Sequence, residues 1–310
     1  MFYKHRYYFS SVIALIVNLL VCSVTPAEVP KVVVSLKPIH ALVSGVLSDL
    51  GRPQLLLSGS ETPHTFSLRP SQVKQVHQAD LIIWVGPNLE GFLKRLIASL
   101  SDKVAVLRLI DLKGLTLLTT RKGGIWHPES NSKQPIDNHI WLNPQNAQVM
   151  VQAIAQTLAQ LDPEHAQHYQ RNSNQLIKQL TELDQALQQQ LAPVSNKAFL
   201  VFHDAYQYFE EHYQLTALGA LQISSEQQPS VQRLQNLRQL IKQAAIACVF
   251  KEPQFNDALA KTVVENTTAR IASLDPLGID LTAGKEAYFE LLQNLASALK
   301  QCLSANLSID

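Results

Sequence analysis

The sequence carries almost no net charge: 26 Lys and Arg against 25 Asp and Glu give +1 over 310 residues. The charges are scattered, so there is no electrostatic footprint for nucleic acid or an anionic membrane, and no nucleic-acid partner is expected. Cysteine is scarce, with 3 in the chain, and none lies two to four residues from another, the usual spacing of zinc thiolate pairs. Beyond the N-terminal stretch no segment is long and apolar enough to span a bilayer. A His-Glu-x-x-His helix and a nucleophile elbow are both missing, which removes two hydrolase signatures. No close internal repeat is present either.

The N-terminus has an export pattern. Lys4 and Arg6 form a basic head, Ser11 to Val24 is uncharged and mostly apolar, and Thr25-Pro26-Ala27 places small residues before the polar Glu28. The apolar run is shorter than the ~20 residues a spanning helix needs, so residues 1–27 read as a cleaved signal peptide rather than an anchor. Val21 before Cys22 is a poor match to a lipoprotein box. Two of the 26 basic residues and none of the 25 acidic ones leave with that segment, so the remainder holds 24 against 25 and is formally −1. Cys22 leaves as well. Cys248 and Cys302 then read as one disulfide in an oxidising compartment, with a pair of zinc thiolates as the rival reading.

What remains is about twice the usual domain length and 46% hydrophobic, enough for two cores. Short apolar, β-branched runs at Lys31–Leu36, Gln54–Leu57 and Asp80–Gly86 read as buried strands, with helices expected after Ile39 and over Leu68–Gln78. Strands alternating with helices predict an α/β fold with a parallel sheet. The stretch from Thr119 to Asn138, with Gly123, Gly124, Pro128 and Pro135, reads as a long surface loop. Asp162-Pro163 opens a polar helix to about Leu191, and Leu176, Leu180, Leu183, Leu187 and Leu191 recur as an amphipathic stripe. A second α/β stretch follows, with strands expected at Ala198–Phe202, Leu215–Ala220, Ala247–Phe250 and Ile271–Leu274. The resulting division is an N-terminal lobe over 28–161, a linker helix over 162–192 and a C-terminal lobe over 193–310.

Candidate chemistry collects where such sheets bind ligands, at the carboxyl ends of strands. His203 follows the Ala198–Phe202 strand, His64 follows the Gln54–Leu57 strand, and His139 emerges from the long loop. Asp275 follows the Ile271–Leu274 strand. Three imidazoles and a carboxylate suit Zn²⁺ in a four-coordinate shell. Spacing alone is weak support, because no two of these residues are close in sequence. His165 and His168, at i and i+3, read with His77 and His212 as solvated positions on polar helix faces, and His40 as cleft wall at most.

The motifs around those residues carry more. Pro63-His64-Thr65-Phe66-Ser67-Leu68-Arg69-Pro70-Ser71, Ala79-Asp80-Leu81-Ile82-Ile83-Trp84-Val85-Gly86-Pro87, Asn138-His139-Ile140-Trp141-Leu142-Asn143-Pro144, Phe202-His203-Asp204-Ala205-Tyr206-Gln207-Tyr208-Phe209 and Leu274-Asp275-Pro276-Leu277-Gly278 recur in one order along the chain. This set resembles the periplasmic solute-binding proteins of metal-ion ABC transporters, and within them the high-affinity zinc-uptake (ZnuA-type) branch. The resemblance implies two Rossmann-like α/β lobes joined by one long linker helix, with metal in the cleft. It implies a monomeric periplasmic protein that delivers Zn²⁺ to the membrane permease of an ABC zinc importer, with His64, His139 and His203 as ligands.

The chain departs from the family pattern at two places. The position before the first histidine, acidic in some zinc-branch members, is Pro63, which leaves Asp275, Glu61 two residues further back, or a water for the fourth position. The Thr119–Asn138 loop holds only His127, Glu129 and Asp137, where zinc-branch members often crowd such residues, so metal recruitment by the loop should be reduced and His127 is at most an accessory ligand. A manganese-binding sibling would place a carboxylate where His203 stands, and imidazole favours zinc. An adhesin of the same fold and a zinc-dependent hydrolase are rival functions for such a chain. Asp204, the acidic neighbour a hydrolase would need, reads instead as a cap for the next helix.

Overall fold

The structure, a computed structural model, describes residues 28–59, 61–122, 125–126, 134–222 and 228–304. The signal-peptide reading of residues 1–27 and the reading of His127 fall outside that set.

The first α/β unit contains β1 (Val32–Val34), α1 (Lys37–Leu47), β2 (Gln54–Leu55), α2 (Pro70–His77), β3 (Leu81–Trp84), α3 (Gly91–Ala98) and β4 (Ala105–Arg108). Its strands pair in the order β2-β1-β3-β4, all parallel. Every residue of β1 and β3 is buried, as expected of central strands covered by helices on both faces. Two long helices come next, α4 (Pro144–Leu161) and α5 (Ala166–Leu191). Asn143 caps α4 by accepting from the amides of Gln145 and Asn146 at 2.7 and 3.2 Å.

The second unit repeats the plan: β5 (Ala198–Val201), α6 (Gln207–Tyr213), β6 (Thr216–Ala220), α7 (Val231–Gln243), β7 (Cys248–Lys251), α8 (Ala258–Val264) and β8 (Arg270–Ser273). Its order, β6-β5-β7-β8, is that of the first sheet, again parallel. The two halves thus share a topology without sharing a sequence repeat. The closing helix α9 (Ala287–Ser304) packs on α1 and α5, so one apolar core runs from the first unit into the second. The leucine stripe of α5 is buried throughout, and a Cys248–Cys302 disulfide ties β7 to α9.

This topology matters for function because each sheet reverses its winding between its first and third strands. The two strands leave a crevice at their carboxyl ends, the place where α/β sheets bind ligands. In the first sheet Glu90 fills it. Its buried carboxylate accepts from Ser35 Oγ at 2.5 Å and from the amides of Val85 and Gly86 at 3.0 and 2.8 Å. In the second sheet the crevice holds His203 after β5 and Glu252 after β7.

The 119–138 stretch is irregular except for one antiparallel bridge among its described residues, Thr119 to Ile136. The amides of Thr120 and Asp137 donate to Pro135 and Leu118 carbonyls, both at 2.9 Å, and so fold the stretch back on itself. Asp204 does not cap α6. The cap position falls two residues later, at Tyr206, because the Asp204 carboxylate is taken by Arg121.

Candidate metal centre

His64, His139 and His203 converge from three separate loops. His64 lies between β2 and α2, His139 ends the long loop just before α4, and His203 follows β5. One ring nitrogen from each lies within 4.8 Å of the others. Ring centroids stand 5.8 Å apart for His64–His139, 5.9 Å for His64–His203 and 5.4 Å for His139–His203. Among the described residues this is the one cluster of metal-ligating side chains of that size.

Two of the three rings are held from behind by carboxylates. His203 Nδ1 is 2.6 Å from Glu252 Oε1, and His139 Nδ1 is 2.7 Å from Asp137 Oδ1. A carboxylate partner accepts, so in the neutral form of each ring the proton sits on Nδ1 and Nε2 keeps its lone pair for a ligand. His203 Nε2 is buried with no hydrogen-bond partner. A buried orphan of this kind is costly unless something takes its lone pair. The imidazole backed by a carboxylate through Nδ1 and bare at Nε2 is the arrangement of a zinc-binding histidine.

The electrostatics of the rings diverge. Burial, helped by the neighbouring His139 and His203, pushes His64 down to about 3. Burial also pulls on His203, but the charge and hydrogen bond of Glu252 outweigh it, and His203 ends above its ordinary value. His64 is therefore a ready neutral ligand, whereas metal competes with a proton at His203 from a higher pH than at a free histidine.

Asp275 is not brought to the imidazoles. Its Oδ1 accepts from the Leu277 and Gly278 amides at 2.9 and 3.0 Å and from Gln254 Nε2 at 3.1 Å. Its Oδ2 accepts from the Ile279 amide at 2.6 Å. A carboxylate so occupied anchors a turn, and its lone pairs are spent there. Glu61 is likewise engaged, by the Gly59 amide at 2.9 Å and Arg69 at 3.5 Å. His40 points away from the cleft and bonds the Pro53 carbonyl at 3.0 Å. His212 is no solvated residue: its Nε2 meets Asp184 of α5 at 2.7 Å. His165 meets Asp162, also at 2.7 Å.

Sequence reasoning missed Glu252 and left Asp137 as an ordinary loop residue. The signal for Glu252 was there, an acidic side chain at the carboxyl end of the buried strand Cys248–Lys251. Arg121 was also missed. It reaches from the irregular stretch to Glu210 at 2.6 Å and to Asp204, and nothing in its local sequence marks it.

The cavity between the rings measures about 10 Å³ and is walled by Pro63, Trp141, Phe255, Pro276 and Leu277. Room of that size suits one ion or one water and no organic molecule. Its walls are cross-tied. Trp141 Nε1 donates to the Pro276 carbonyl at 2.8 Å, Tyr288 to the Trp141 carbonyl at 2.7 Å, and Tyr208 to the Asp137 carbonyl at 2.8 Å.

Comparison with known proteins places the chain among zinc-uptake proteins. The sequence model of the family described as zinc-uptake complex component A, periplasmic (ZnuA), matches residues 32–302. The high-affinity zinc uptake system protein ZnuA of Brucella suis biovar 1 is 39% identical over 305 residues, covering 88% of this chain and 91% of the relative. Among solved structures, a ZnuA deletion mutant with zinc bound superposes with a TM-score of 0.77 at 26% identity, over 90% of this chain and 100% of that one. The laminin-binding protein of Streptococcus agalactiae, described as bifunctional with adhesin and metal-transporting activity, gives 0.75 at 27% identity, over 88% of this chain and 99% of that one.

Proposed function

We propose, from the premise that the chain belongs to the periplasmic zinc-uptake complex component A (ZnuA) family, that it captures one Zn²⁺ between His64, His139 and His203 and hands it to the permease of an ABC importer. The protein is a periplasmic zinc-binding component of a zinc-uptake system, built to bind and release its cargo. The observation that carries the ligand assignment is the orphaned, buried Nε2 of His203, with Glu252 behind the same ring. Three imidazole nitrogens favour zinc over manganese, which prefers carboxylate oxygens, and the nearby Glu252 and Asp137 each spend an oxygen on a ring Nδ1.

Residues 1–27 serve as a cleaved export signal in this reading, and the mature chain acts as a monomer. A hydrolase role loses ground because the cavity has no room for an organic substrate beside the metal. Calorimetric titration of chelator-stripped mature protein tests the proposal. One tight zinc site is expected, and His203→Ala should abolish the tight phase. Two tight sites, or full affinity in the variant, would overturn it.

A further inference from the structure

Three imidazoles leave a four-coordinate zinc one ligand short, and the cavity walls offer little to supply it. Glu252 is committed to His203 and also interacts with the Tyr206 hydroxyl. Thr62 Oγ1 accepts from the His64 amide at 3.4 Å, and Trp141 Nε1 is bonded to Pro276. Gln254 also lines the cavity, and outside the histidine rings its Oε1 is the one fully buried side-chain polar atom of that lining without a hydrogen-bond partner. The orientation of that amide is not arbitrary. Gln254 Nε2 lies 3.1 Å from Asp275 Oδ1, and a carboxylate accepts only a donor, so the NH₂ must face Asp275 and the oxygen must face away.

We propose that Gln254, held by Asp275, is the positioning residue for a water in the fourth zinc position, accepting a hydrogen bond from that water through Oε1. The inference rests on the three-histidine zinc reading given above. Amide oxygen is not among zinc's usual ligands, whereas water commonly fills a fourth site left open by three protein groups. A zinc-bound water is a strong donor because the cation draws charge from it, and a pre-aimed neutral acceptor holds it without adding a negative charge to the site. Asp275 thereby serves the site through Gln254 rather than by touching the metal. It supplies the orientation, while its remaining lone pairs hold the turn over residues 277–279. A neutral fourth position also leaves the ion easier to release than a carboxylate would, which suits a carrier.

The test has two arms on the mature protein. The first is a high-resolution structure of the zinc-loaded wild type. A zinc-bound water within hydrogen-bond distance of Gln254 Oε1 is expected; a protein side chain in the fourth position, or a water beyond that distance, would overturn the proposal. The second compares Gln254→Leu with wild type by chelator competition and by the visible spectrum of the Co²⁺-loaded protein. A loss of about tenfold in zinc affinity is expected, the lower end of what removing an outer partner costs, together with a changed Co²⁺ spectrum. Unchanged affinity and spectrum would overturn it, and a variant that does not fold leaves the first arm decisive. Failure of the wild type to bind zinc at the three histidines is a separate result, which removes the underlying reading.

Discussion

Arg121 and Asp204 form a bifurcated ion pair, with Arg121 Nε 3.0 and 3.1 Å from the two carboxylate oxygens. Glu210 joins on the other side of the guanidinium at 2.6 Å. Both carboxylates are at most 6% exposed and the guanidinium 19%, and its carbon sits 3.5 Å over the Trp126 ring. Because Asp204 adjoins His203, this cluster fastens the long loop to the metal-side crevice. Burial holds Glu210 up, to about 7, against the pull of the nearby Arg121. Arg121→Gln would strand two buried carboxylates. The expected cost is roughly 3–5 kcal/mol, read as a lowered denaturation midpoint in urea. A loss under about 1 kcal/mol, the range of a solvent-screened pair, would show that the cluster is not buried in solution.

Glu252 and Asp137 should matter to metal affinity without touching metal. Glu252→Gln keeps the shape but weakens the hold on His203 Nδ1, and Asp137→Asn does the same for His139. Each should cost about 10–100-fold in zinc affinity. Chelator competition measures it, and near-wild-type values in both variants would mean the rings are oriented by other contacts.

The legible parts of this chain were those with local causes. The strands and α5 appear where periodicity puts them, because burial of a β-branched run or a leucine stripe is written in adjacent residues. Helices α3 and α4 and strand β4 were not read: β4 alternates half-buried with exposed positions, and the Asn143-Pro144 start signal of α4 was read only as part of a motif. At the site, the histidines were legible through their motifs. Asp275 was misjudged because position after a strand does not say whether a carboxylate faces a cleft or its own next turn. Arg121 and Glu252 act on partners 83 and 49 residues away, and no local pattern encodes such pairings.

The disulfide closes a span of 54 residues between β7 and α9. In the chain-entropy model a loop of that length is worth about 4 kcal/mol. Protein taken from periplasm should show almost no free thiol after unfolding without reductant. Reduction should lower the unfolding midpoint, and two reactive thiols in unreduced protein would contradict the pairing.

Zinc affinity should fall with pH, but less steeply than three free histidines would dictate. Zinc binds neutral imidazole, so every ligand protonated in the metal-free protein must lose a proton on binding, and affinity falls with pH below that ligand's pKa. Three ordinary histidines would give a limiting slope of about three decades per pH unit. Here His64 is pushed down to about 3, so it is already neutral from pH 8 down to 5 and contributes no slope there. His203 is raised by Glu252 against the pull of burial, so its competition with zinc begins at higher pH than a free histidine's would. The expected profile is therefore shallower, at most about two decades per unit, and starts to bend at higher pH. Zinc affinity measured from pH 5 to 8, with a chelator of known protonation, gives the slope directly. His64→Ala should weaken binding and leave the slope unchanged, whereas His203→Ala should weaken binding and reduce the slope by about one. The opposite pairing of effects would mean that the buried carboxylate does not control the proton on His203.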